Sequence, residues 1–269
     1  MSAFNLTVAQ FGATIDPTAN LENALQLVSE AAAQGADLVV LPENAMYSDP
    51  LKERPGEKYS EPLDGTFVTS LKKSAKEHGV HVLAGFTETT DGDRPYNTLV
   101  HLTPEGELEN VYRKVHLYDA FGYKESDTVC PAAAEALVFE VNGVKVGAAT
   151  CYDLRFPEIS RFLVDHGAEA IVLPAAWVVG PLKEYHWETL IRARAIENTV
   201  YFAGCGQTGP DCTGSSMIVD PMGVTIAAAG EAPMALASAR IDTDRIGKVR
   251  ASNPSLSNRR FSVSPLPAN

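Results

Sequence analysis

The chain has 269 residues, 45% of them hydrophobic, and a formal net charge of −12 at pH 7. That length and apolar content can bury a full core, whereas the acidic balance and the lack of a Lys/Arg cluster argue against nucleic acid as a partner. The four cysteines contain no C-x-x-C pair and no zinc-like grouping with histidine, so the composition predicts neither a metal centre nor a disulfide framework.

The distribution of apolar residues predicts one domain that does not cross a membrane. Residues 1–10 carry no basic segment followed by an apolar one, which is typical of a cytoplasmic protein rather than a secreted one. The longest apolar stretch, residues 170–179, is too short to span a bilayer and contains Pro174. Because no linker-like composition or internal repeat divides the chain, we expect a single domain over residues 1–269.

The first half of the chain alternates segments typical of strands and helices. The strand, helix and strand at its start imply a parallel crossover, so Glu43 lies just beyond the carboxyl end of a strand, and Lys114 ends another. In chain order, the segments are a strand at 6–10, a helix at 20–33, strands at 37–41, a helix at 66–78, and strands at 80–84, 96–102 and 108–114.

In the second half, the pair Asn142-Gly143 is a strong hairpin signal, and the second strand of that hairpin leads to Cys151. Pro157 suits the first position of the helix that follows. Helices interleaved with strands early and a run of strands late indicate an α/β protein with large mixed sheets covered by helices. The predicted segments are strands at 136–141 and 144–149, a helix at 157–164, a strand at 170–173, a helix at 186–197, strands at 200–204, 216–219, 224–229 and 235–241, and an irregular tail.

Three polar side chains at strand ends can take part in one reaction. A thiol attacks an acyl carbon only as the thiolate, so Cys151 needs a base to take its proton or a cation to lower its pKa. Glu43 is a candidate base. Lys114 is a candidate cation, and it can also face the oxyanion of a tetrahedral intermediate together with the backbone N–H of Tyr152. The plainer alternative is that Cys151 is a core thiol and that Glu43 and Lys114 form a structural ion pair.

Three motifs contain these residues: LPE at 41–43, RKVHL at 113–117 and TCYDLRFPE at 150–158. They resemble, in order and spacing, the three signature motifs of the nitrilase superfamily of carbon–nitrogen hydrolases. The resemblance covers nearly the whole chain and implies a four-layer α-β-β-α sandwich, frequently dimerised, with Glu43 as base, Lys114 as oxyanion partner and Cys151 as nucleophile. It also implies a second carboxylate at Glu125, for which the alternative is an exposed loop charge.

Within that superfamily, CYDLRFPE at 151–158 is similar to the branch that contains omega-amidases and deaminated glutathione amidases. True nitrilases usually have Trp-Glu after the cysteine, so Tyr152-Asp153 favours an amide over a nitrile. Two segments differ from the branch: Asn44-Ala45 stands where an aromatic residue is frequent, and residues 212–216 lack a His-Gly-His.

Aromatic and cationic residues near the predicted site are candidates for substrate binding. Arg155 can clamp a substrate carboxylate bidentately or brace the site through Asp153 or Glu158, and the sequence favours the brace. We expect the loops at 48–61 and 115–134 to shape the pocket. The candidate substrate-binding residues are Tyr152, Arg155, Tyr47, Phe121 and Trp177.

Together these features predict a thiol amidase that uses neither a metal nor a cofactor. Cys151 attacks a small-molecule amide, ammonia leaves, and water activated by Glu43 releases the carboxylic acid. The expected partners are the amide substrate and water, with no nucleic acid or membrane, in a cytoplasmic homodimer or higher homo-oligomer. The alternatives are a nitrile hydrolase that proceeds through a thioimidate and a non-catalytic scaffold that retains the fold.

Overall fold

Strands and helices follow one another along residues 2–49 and 59–266, the part of the chain that the computed structural model describes. The strands are β1 (Ala3–Phe11), β2 (Leu38–Val40), β3 (His81–Glu88), β4 (Tyr96–Leu102), β5 (Leu108–Arg113), β6 (Asp119–Ala120), β7 (Tyr123–Lys124), β8 (Leu137–Val141), β9 (Val144–Ala148), β10 (Ala170–Ala175), β11 (Tyr201–Gly206), β12 (Met217–Val219), β13 (Thr225–Ala228) and β14 (Met234–Asp242). The helices are α1 (Pro17–Ala33), α2 (Thr66–His78), α3 (Pro157–Asp165), α4 (Lys183–Asn198) and α5 (Thr243–Ser252).

Most of the strands form two six-stranded mixed sheets, with the orders β14-β1-β2-β3-β4-β5 and β13-β12-β11-β10-β9-β8. In the first sheet β1, β2 and β3 are parallel, and in the second β9, β10 and β11 are parallel. The outer strands of both sheets pair antiparallel with their neighbours. The carboxyl ends of the parallel strands therefore meet at one edge of each sheet, as the sequence predicts for the site.

The core lies in layers because successive side chains on a strand point to opposite faces. On β1, Leu6 and Val8 pack into the core between the two sheets, whereas Ala9 and Phe11 pack beneath α1 and α2. On the far side of the second sheet, α4 buries Trp187 completely against β11. There Gly204 is required, since a Cβ at that position would come within 2.5 Å of the Trp187 ring. The predicted four-layer α-β-β-α sandwich is confirmed.

Local sequence signals account for several element boundaries. Helix α1 begins earlier than predicted, at Pro17, because the Asp16 side chain accepts hydrogen bonds from two backbone N–H groups of the first turn. Helix α2 has the predicted bounds, and the left-handed Gly79 ends it. The hairpin between β8 and β9 turns at Asn142 (φ 49°) and Gly143 (φ 78°), as that pair predicts.

Three segments differ from the sequence-based expectations, and a fourth lies mostly outside the described residues. Helix α4 begins at Lys183 rather than at residue 186. The segment after Lys114 contains the β6–β7 ribbon and a 3₁₀ turn, Glu125–Asp127. Helix α5 was not predicted, because it buries few apolar side chains and its periodicity is weak. Most of the pocket loop expected at 48–61 falls on residues 50–58, which lie outside the described residues.

Within residues 2–49 and 59–266, none of the helices is both long enough and apolar enough to cross a bilayer.

Candidate active site

The candidate catalytic side chains lie close together because each follows the end of a strand, two in the first sheet and one in the second. Glu43 follows β2, Lys114 follows β5 directly, and Cys151 follows β9. The loop carrying Glu43 runs against β3, where the backbone N–H of Ala45 donates to the Gly85 carbonyl at 2.9 Å. Gly85 permits this close approach, because a Cβ there would lie 2.7 Å from the Glu43 Cα.

The backbone at Cys151 adopts an unusual conformation that its surroundings hold in place. Cys151 has φ 45° and begins a 3₁₀ turn, Cys151–Arg155. A non-glycine residue with positive φ costs on the order of 1–3 kcal/mol and persists only when other contacts enforce it. Here Asp153 accepts hydrogen bonds from the Thr150 N–H at 2.8 Å and the Tyr112 hydroxyl at 2.7 Å, and Arg194 donates twice to the Leu154 carbonyl.

Four side chains, Glu43, Asn97, Lys114 and Glu125, form a buried charged cluster beneath Cys151. Lys114 Nζ donates to Glu43 Oε1 at 2.8 Å and to Glu125 Oε2 at 2.9 Å. Asn97 Nδ2 donates to the same two carboxylates, at 2.7 and 3.2 Å. The backbone N–H of Ala176 supplies a further donor to Glu43 Oε2 at 2.6 Å. Glu125 is therefore buried and paired, and the alternative of an exposed loop charge is wrong.

The buried charges of the site shift the pKa values of Glu43 and Lys114 so that both groups are ionised. Burial raises the pKa of Glu43, but the Lys114 ammonium, together with hydrogen bonds from Lys114 and Ala176, outweighs burial and lowers the pKa below its usual value. Burial lowers the pKa of Lys114, but Glu43 and Glu125 outweigh it and hold the pKa well above the ordinary value. Lys114 remains a cation.

The Cys151 thiol lies beside Glu43, and its pKa is shifted in the opposite direction. Burial and then the negative charge of Glu43 raise its pKa well above the ordinary value, and the Lys114 charge offsets only part of this. The resting site therefore pairs a protonated thiol with an ionised carboxylate. In that state a candidate general base lies beside the thiol that it would deprotonate.

A second group of side chains, which we call the aromatic rim, lies beside Cys151. Its two cations, Arg155 and Lys183, both contact the rings of Trp177 and Phe121. Arg155 Cζ lies 4.8 Å from the Trp177 ring centroid and 5.5 Å from that of Phe121, and Lys183 Nζ lies 5.2 and 4.5 Å from these centroids. The aromatic rim comprises Tyr118, Phe121, Arg155, Trp177 and Lys183.

The structure places the other predicted substrate-binding residues at different distances from this group. The Tyr152 ring packs edge-on against Tyr118, with centroids 5.1 Å apart, and so adjoins the aromatic rim. Tyr47 stacks on Tyr59 at 5.6 Å, on the side of the Glu43 loop. That Tyr47 and Tyr152 bind substrate stays a prediction.

The expected brace from Arg155 to Asp153 or Glu158 is not among the hydrogen bonds and ion pairs of the described residues. Asp153 is instead held by its own turn and by His116, whose Nδ1 lies 2.7 Å from Asp153 Oδ1. Arg155 turns toward the aromatic rim, where its Nη2 lies 3.5 Å from His186 Nδ1. The Arg155 guanidinium therefore faces the Phe121 and Trp177 rings rather than Asp153 or Glu158.

Sequence analysis missed Asn97, Tyr118 and Lys183. Asn97 lies near the start of β4, and a polar residue entering an otherwise apolar strand was the available signal. Tyr118 lies in the loop expected to shape the pocket, and its backbone N–H donates to Glu125 Oε2 at 2.6 Å. Lys183 had no distinguishing pattern, because the helix was expected to begin after it.

The described residues contain no group of three or more His, Cys, Asp or Glu side chains arranged to hold a metal ion. The absence of a metal and of a cofactor stays a prediction.

Comparison with known proteins identifies the family. The family described as carbon-nitrogen hydrolase matches residues 5–251. The chain belongs to the carbon–nitrogen hydrolase family. This hydrolase is 41% identical over 261 residues to the deaminated glutathione amidase of Escherichia coli O157:H7, an alignment that covers 97% of this chain and 99% of the relative. It is 34% identical over 275 residues to the omega-amidase NIT2 of Xenopus tropicalis, covering 98% and 97%.

A solved structure agrees with the sequence relatives. Nit3 of Saccharomyces cerevisiae, described as a member of branch 10 of the nitrilase superfamily, matches this hydrolase with a TM-score of 0.85 and 27% identity over 97% of both chains. The superfamily and the α/β fold that the motifs predicted are thereby confirmed.

Proposed function

We propose that this hydrolase is a thiol amidase in which Glu43, Lys114, Glu125 and Cys151 carry out the chemistry. One observation carries the assignment: the ionised Glu43 carboxylate lies beside the protonated Cys151 thiol and forms a 2.8 Å ion pair with the Lys114 ammonium. A structural ion pair does not need a thiol at its carboxylate. A general base for a nucleophilic cysteine does.

In the acylation half of the reaction, Glu43 takes the thiol proton as Cys151 Sγ bonds to the amide carbon. The carbonyl electron pair moves to oxygen, and Lys114 together with the backbone N–H of Tyr152 stabilises the resulting oxyanion. When the carbonyl reforms, the C–N bond breaks and Glu43 returns the proton to the departing nitrogen. Ammonia leaves, and a thioester remains on Cys151.

In the deacylation half, Glu43 takes a proton from water while the water oxygen attacks the thioester carbon. The C–S bond then breaks, the carboxylic acid is released, and the thiolate recovers its proton from Glu43. Glu125 shares Lys114 with Glu43 throughout, so it holds the ammonium in position and keeps it charged. We assign Glu125 a positioning role on that basis.

The relatives support a small amide rather than a nitrile as substrate. Two of them are named deaminated glutathione amidase and omega-amidase, and both align over nearly the whole of this chain. We propose that Tyr47, Phe121, Tyr152, Arg155 and Trp177 line the substrate pocket, with Arg155 toward the acyl group. Its guanidinium has a buried Nε without a hydrogen-bond partner among the described residues, which suits a ligand oxygen.

The test is ammonia release from a panel of small primary amides and the matching nitriles, with Cys151→Ala as control. We expect wild-type turnover of at least one amide and a loss of about 10⁴-fold or more in the variant. Mass spectrometry of protein quenched during turnover should show an acyl group on Cys151. Equal turnover by wild type and variant would contradict the assignment, and turnover of nitriles alone would replace it with nitrile hydrolysis.

We further propose a homodimer formed by one domain spanning residues 1–269. Exposed apolar side chains on α4 and around the edge strand β13 support a contact with a second copy, because such a patch is costly to leave in water. The patch consists of Ile196, Met222, Val224 and Ile226. Sedimentation of the wild type and of an Ile226→Asp variant measures the oligomeric state, and a monomeric wild type would contradict the proposal.

Cytoplasmic localisation stays a prediction.

A further inference from the structure

The side-chain amide of Gln207 hydrogen-bonds two loops of the first sheet to the second sheet. Gln207 follows β11 directly and is only 1% exposed. Its Nε2 donates to the backbone carbonyl of Glu43 at 2.6 Å and to that of Asn44 at 3.2 Å. Its Oε1 accepts from the backbone N–H of Ala13 at 3.1 Å. Because Glu43 follows β2 and Ala13 follows β1, one buried amide holds both loops against a strand end of the other sheet.

The loop that Gln207 contacts has a backbone conformation that needs support. Asn44 has φ 52°, in the left-handed region that residues other than glycine rarely adopt, although asparagine tolerates it better than most. No other hydrogen bond to the Glu43 carbonyl or the Asn44 carbonyl is present in the described part of the chain. Since a buried carbonyl without a donor is costly, the Gln207 amide stabilises the turn that carries Glu43.

Gln207 also connects the backbone of Glu43 with the Glu43 carboxylate. The backbone N–H of Gln207 donates to the Ala175 carbonyl at 2.8 Å. The next residue, Ala176, donates its own N–H to Glu43 Oε2 at 2.6 Å, and the charged cluster binds the other carboxylate oxygen. The Glu43 side chain is therefore held at its backbone end by Gln207 and at its carboxylate end by Ala176 and the charged cluster.

We infer that Gln207 is a positioning residue for the general base: its amide fixes the Glu43 backbone so that the carboxylate stays beside the Cys151 thiol. The inference rests on the proposed amidase function, in which Glu43 takes a proton from the thiol and later from water. Proton transfer needs a hydrogen-bond distance between base and donor, so a small shift of the Glu43 backbone slows both steps. The hydrogen bonds of Gln207 within the described residues go to backbone groups outside the aromatic rim, so we expect little effect on substrate binding.

Gln10 is a matched control, because it is a second buried glutamine with the same pattern of hydrogen bonds. It lies on β1 and is fully buried. Its Nε2 donates to the carbonyls of Gly230 and Ala232 at 3.1 and 2.7 Å, and its Oε1 accepts from the Ser216 N–H at 2.8 Å. None of these partners is a candidate catalytic residue. Gln10→Met and Gln207→Met each remove three hydrogen bonds and keep the side-chain length, so they should lower the free energy of unfolding by similar amounts.

The experiment measures kcat and KM for butanamide and succinamate, after urea denaturation has shown that each variant folds. In Gln207→Met we expect kcat to fall about 10- to 100-fold with both amides, while KM stays within about threefold of the wild-type value. Gln10→Met should leave both constants within about threefold of the wild type. A fall in kcat that is equal in the two variants, or a change confined to KM, would overturn the inference.

A second variant, Gln207→Glu, keeps the shape of the side chain and tests the donated hydrogen bonds alone. An ionised carboxylate only accepts hydrogen bonds, whereas a protonated carboxyl donates one to a loop carbonyl. We therefore expect kcat of Gln207→Glu to lie about tenfold below wild type at pH 9 and to recover part of that loss at pH 6, where burial favours the neutral carboxyl. Wild-type kcat should change less than about twofold over this range. Wild-type activity of Gln207→Glu at both pH values would contradict the inference.

An alkylation measurement keeps the inference independent of amide turnover. Iodoacetamide bonds to Cys151 Sγ with loss of iodide, and Glu43 takes the thiol proton in that step. Peptide mass spectrometry gives the rate constant at Cys151, which should fall about tenfold or more in Gln207→Met and in Glu43→Gln, and less than about threefold in Gln10→Met. Equal rates in the two Met variants would contradict the positioning role and leave the amidase function standing. If no amide released ammonia but the alkylation rate followed Gln207, the proposed function would fail and the positioning role would remain.

Discussion

The charged cluster and the aromatic rim accommodate buried charge in opposite ways. In the charged cluster one ammonium faces two carboxylates, and every pair is joined by hydrogen bonds of 2.7–3.3 Å. In the aromatic rim two cations face rings and a hydroxyl, and carboxylates are missing from the ion pairs described there. The charges of the first arrangement are paired within the protein, whereas the cations of the second contact rings and a hydroxyl instead.

This difference separates chemistry from recognition. In the proposed reaction the proton-transfer site needs its charges paired before substrate arrives, so that Glu43 is ionised and Lys114 is charged at the moment of attack. A recognition site gains affinity when the ligand supplies the missing charge. Variants of the charged cluster should therefore lower kcat for every substrate, and variants of the aromatic rim should act according to substrate charge.

The largest effect is expected for Lys114→Met. Two buried carboxylates would then face each other, so the free energy of unfolding should fall by about 3–5 kcal/mol, and turnover should fall by about 10³-fold or more. Urea denaturation and ammonia release measure the two quantities. The double variant Lys114→Met/Glu125→Gln removes one carboxylate as well, and it should regain part of the stability without regaining activity. A double variant no more stable than the single one would contradict the ion-pair account.

A smaller effect is expected for Asn97→Leu, which removes the neutral donor shared by Glu43 and Glu125. We expect kcat to fall about 10- to 100-fold with neutral and anionic amides alike, and the free energy of unfolding to fall by about 1–3 kcal/mol. Thr98→Val is the matched control, because the Thr98 hydroxyl donates to Glu88 at 2.8 Å outside the charged cluster. If Thr98→Val lowered kcat as much, the positioning role of Asn97 would be wrong.

A modest effect is expected for Phe121→Ala. The Phe121 ring is 70% exposed at the turn between β6 and β7, so its loss should change the free energy of unfolding by less than about 0.5 kcal/mol. Its contacts with Arg155 and Lys183 are worth roughly 0.5–1 kcal/mol, so KM for an anionic amide should rise about two- to fivefold. Steady-state kinetics with succinamate and butanamide measure this, and an equal rise in KM for both amides would contradict it.

The smallest effect concerns pH. Because the pKa of Glu43 is held below its ordinary 4.5, the carboxylate stays ionised well into the acid range. With a neutral amide, kcat/KM at pH 5 should remain within about twofold of its value at pH 7 and should fall only below 4.5, as Glu43 takes up a proton and ceases to act as base. Circular dichroism at each pH establishes that the protein is folded. An acid limb centred above pH 5 would mean that another group controls the reaction.

Short-range signals predicted much of the fold. The Asn142-Gly143 turn, the Gly79 stop and the Pro157 start depend on backbone preferences within a few residues, and the structure has all three. Helix α5 and the early start of α4 escaped prediction for a different reason. In α5 only Ile246 and Val249 face the core, so packing rather than periodicity defines the helix.

The candidate catalytic residues were predicted in a similar way, since Glu43, Lys114 and Cys151 stand in motifs that follow strands. The burial of Glu125 was not decided by its sequence, because loop carboxylates are usually solvated. The structure buries it by aligning the Lys114 ammonium and the Tyr118 N–H with its oxygens. The expected contact between Arg155 and Asp153 does not form for a comparable reason. The Asp153 carboxylate is already hydrogen-bonded to Tyr112, Thr150 and His116.

The sequence by itself determined the family, the α/β fold and the candidate reactive groups, because these depend on residue types at fixed short spacings. Tertiary structure alone decided that Asn97 joins two carboxylates and that Lys183 meets Arg155 over shared rings. Lys183 and Arg155 are far apart in the chain, and the charge environment of each depends on which side chains the folded layers place around it. For that reason only the structure shows which charged side chains around Cys151 form ion pairs and which contact aromatic rings.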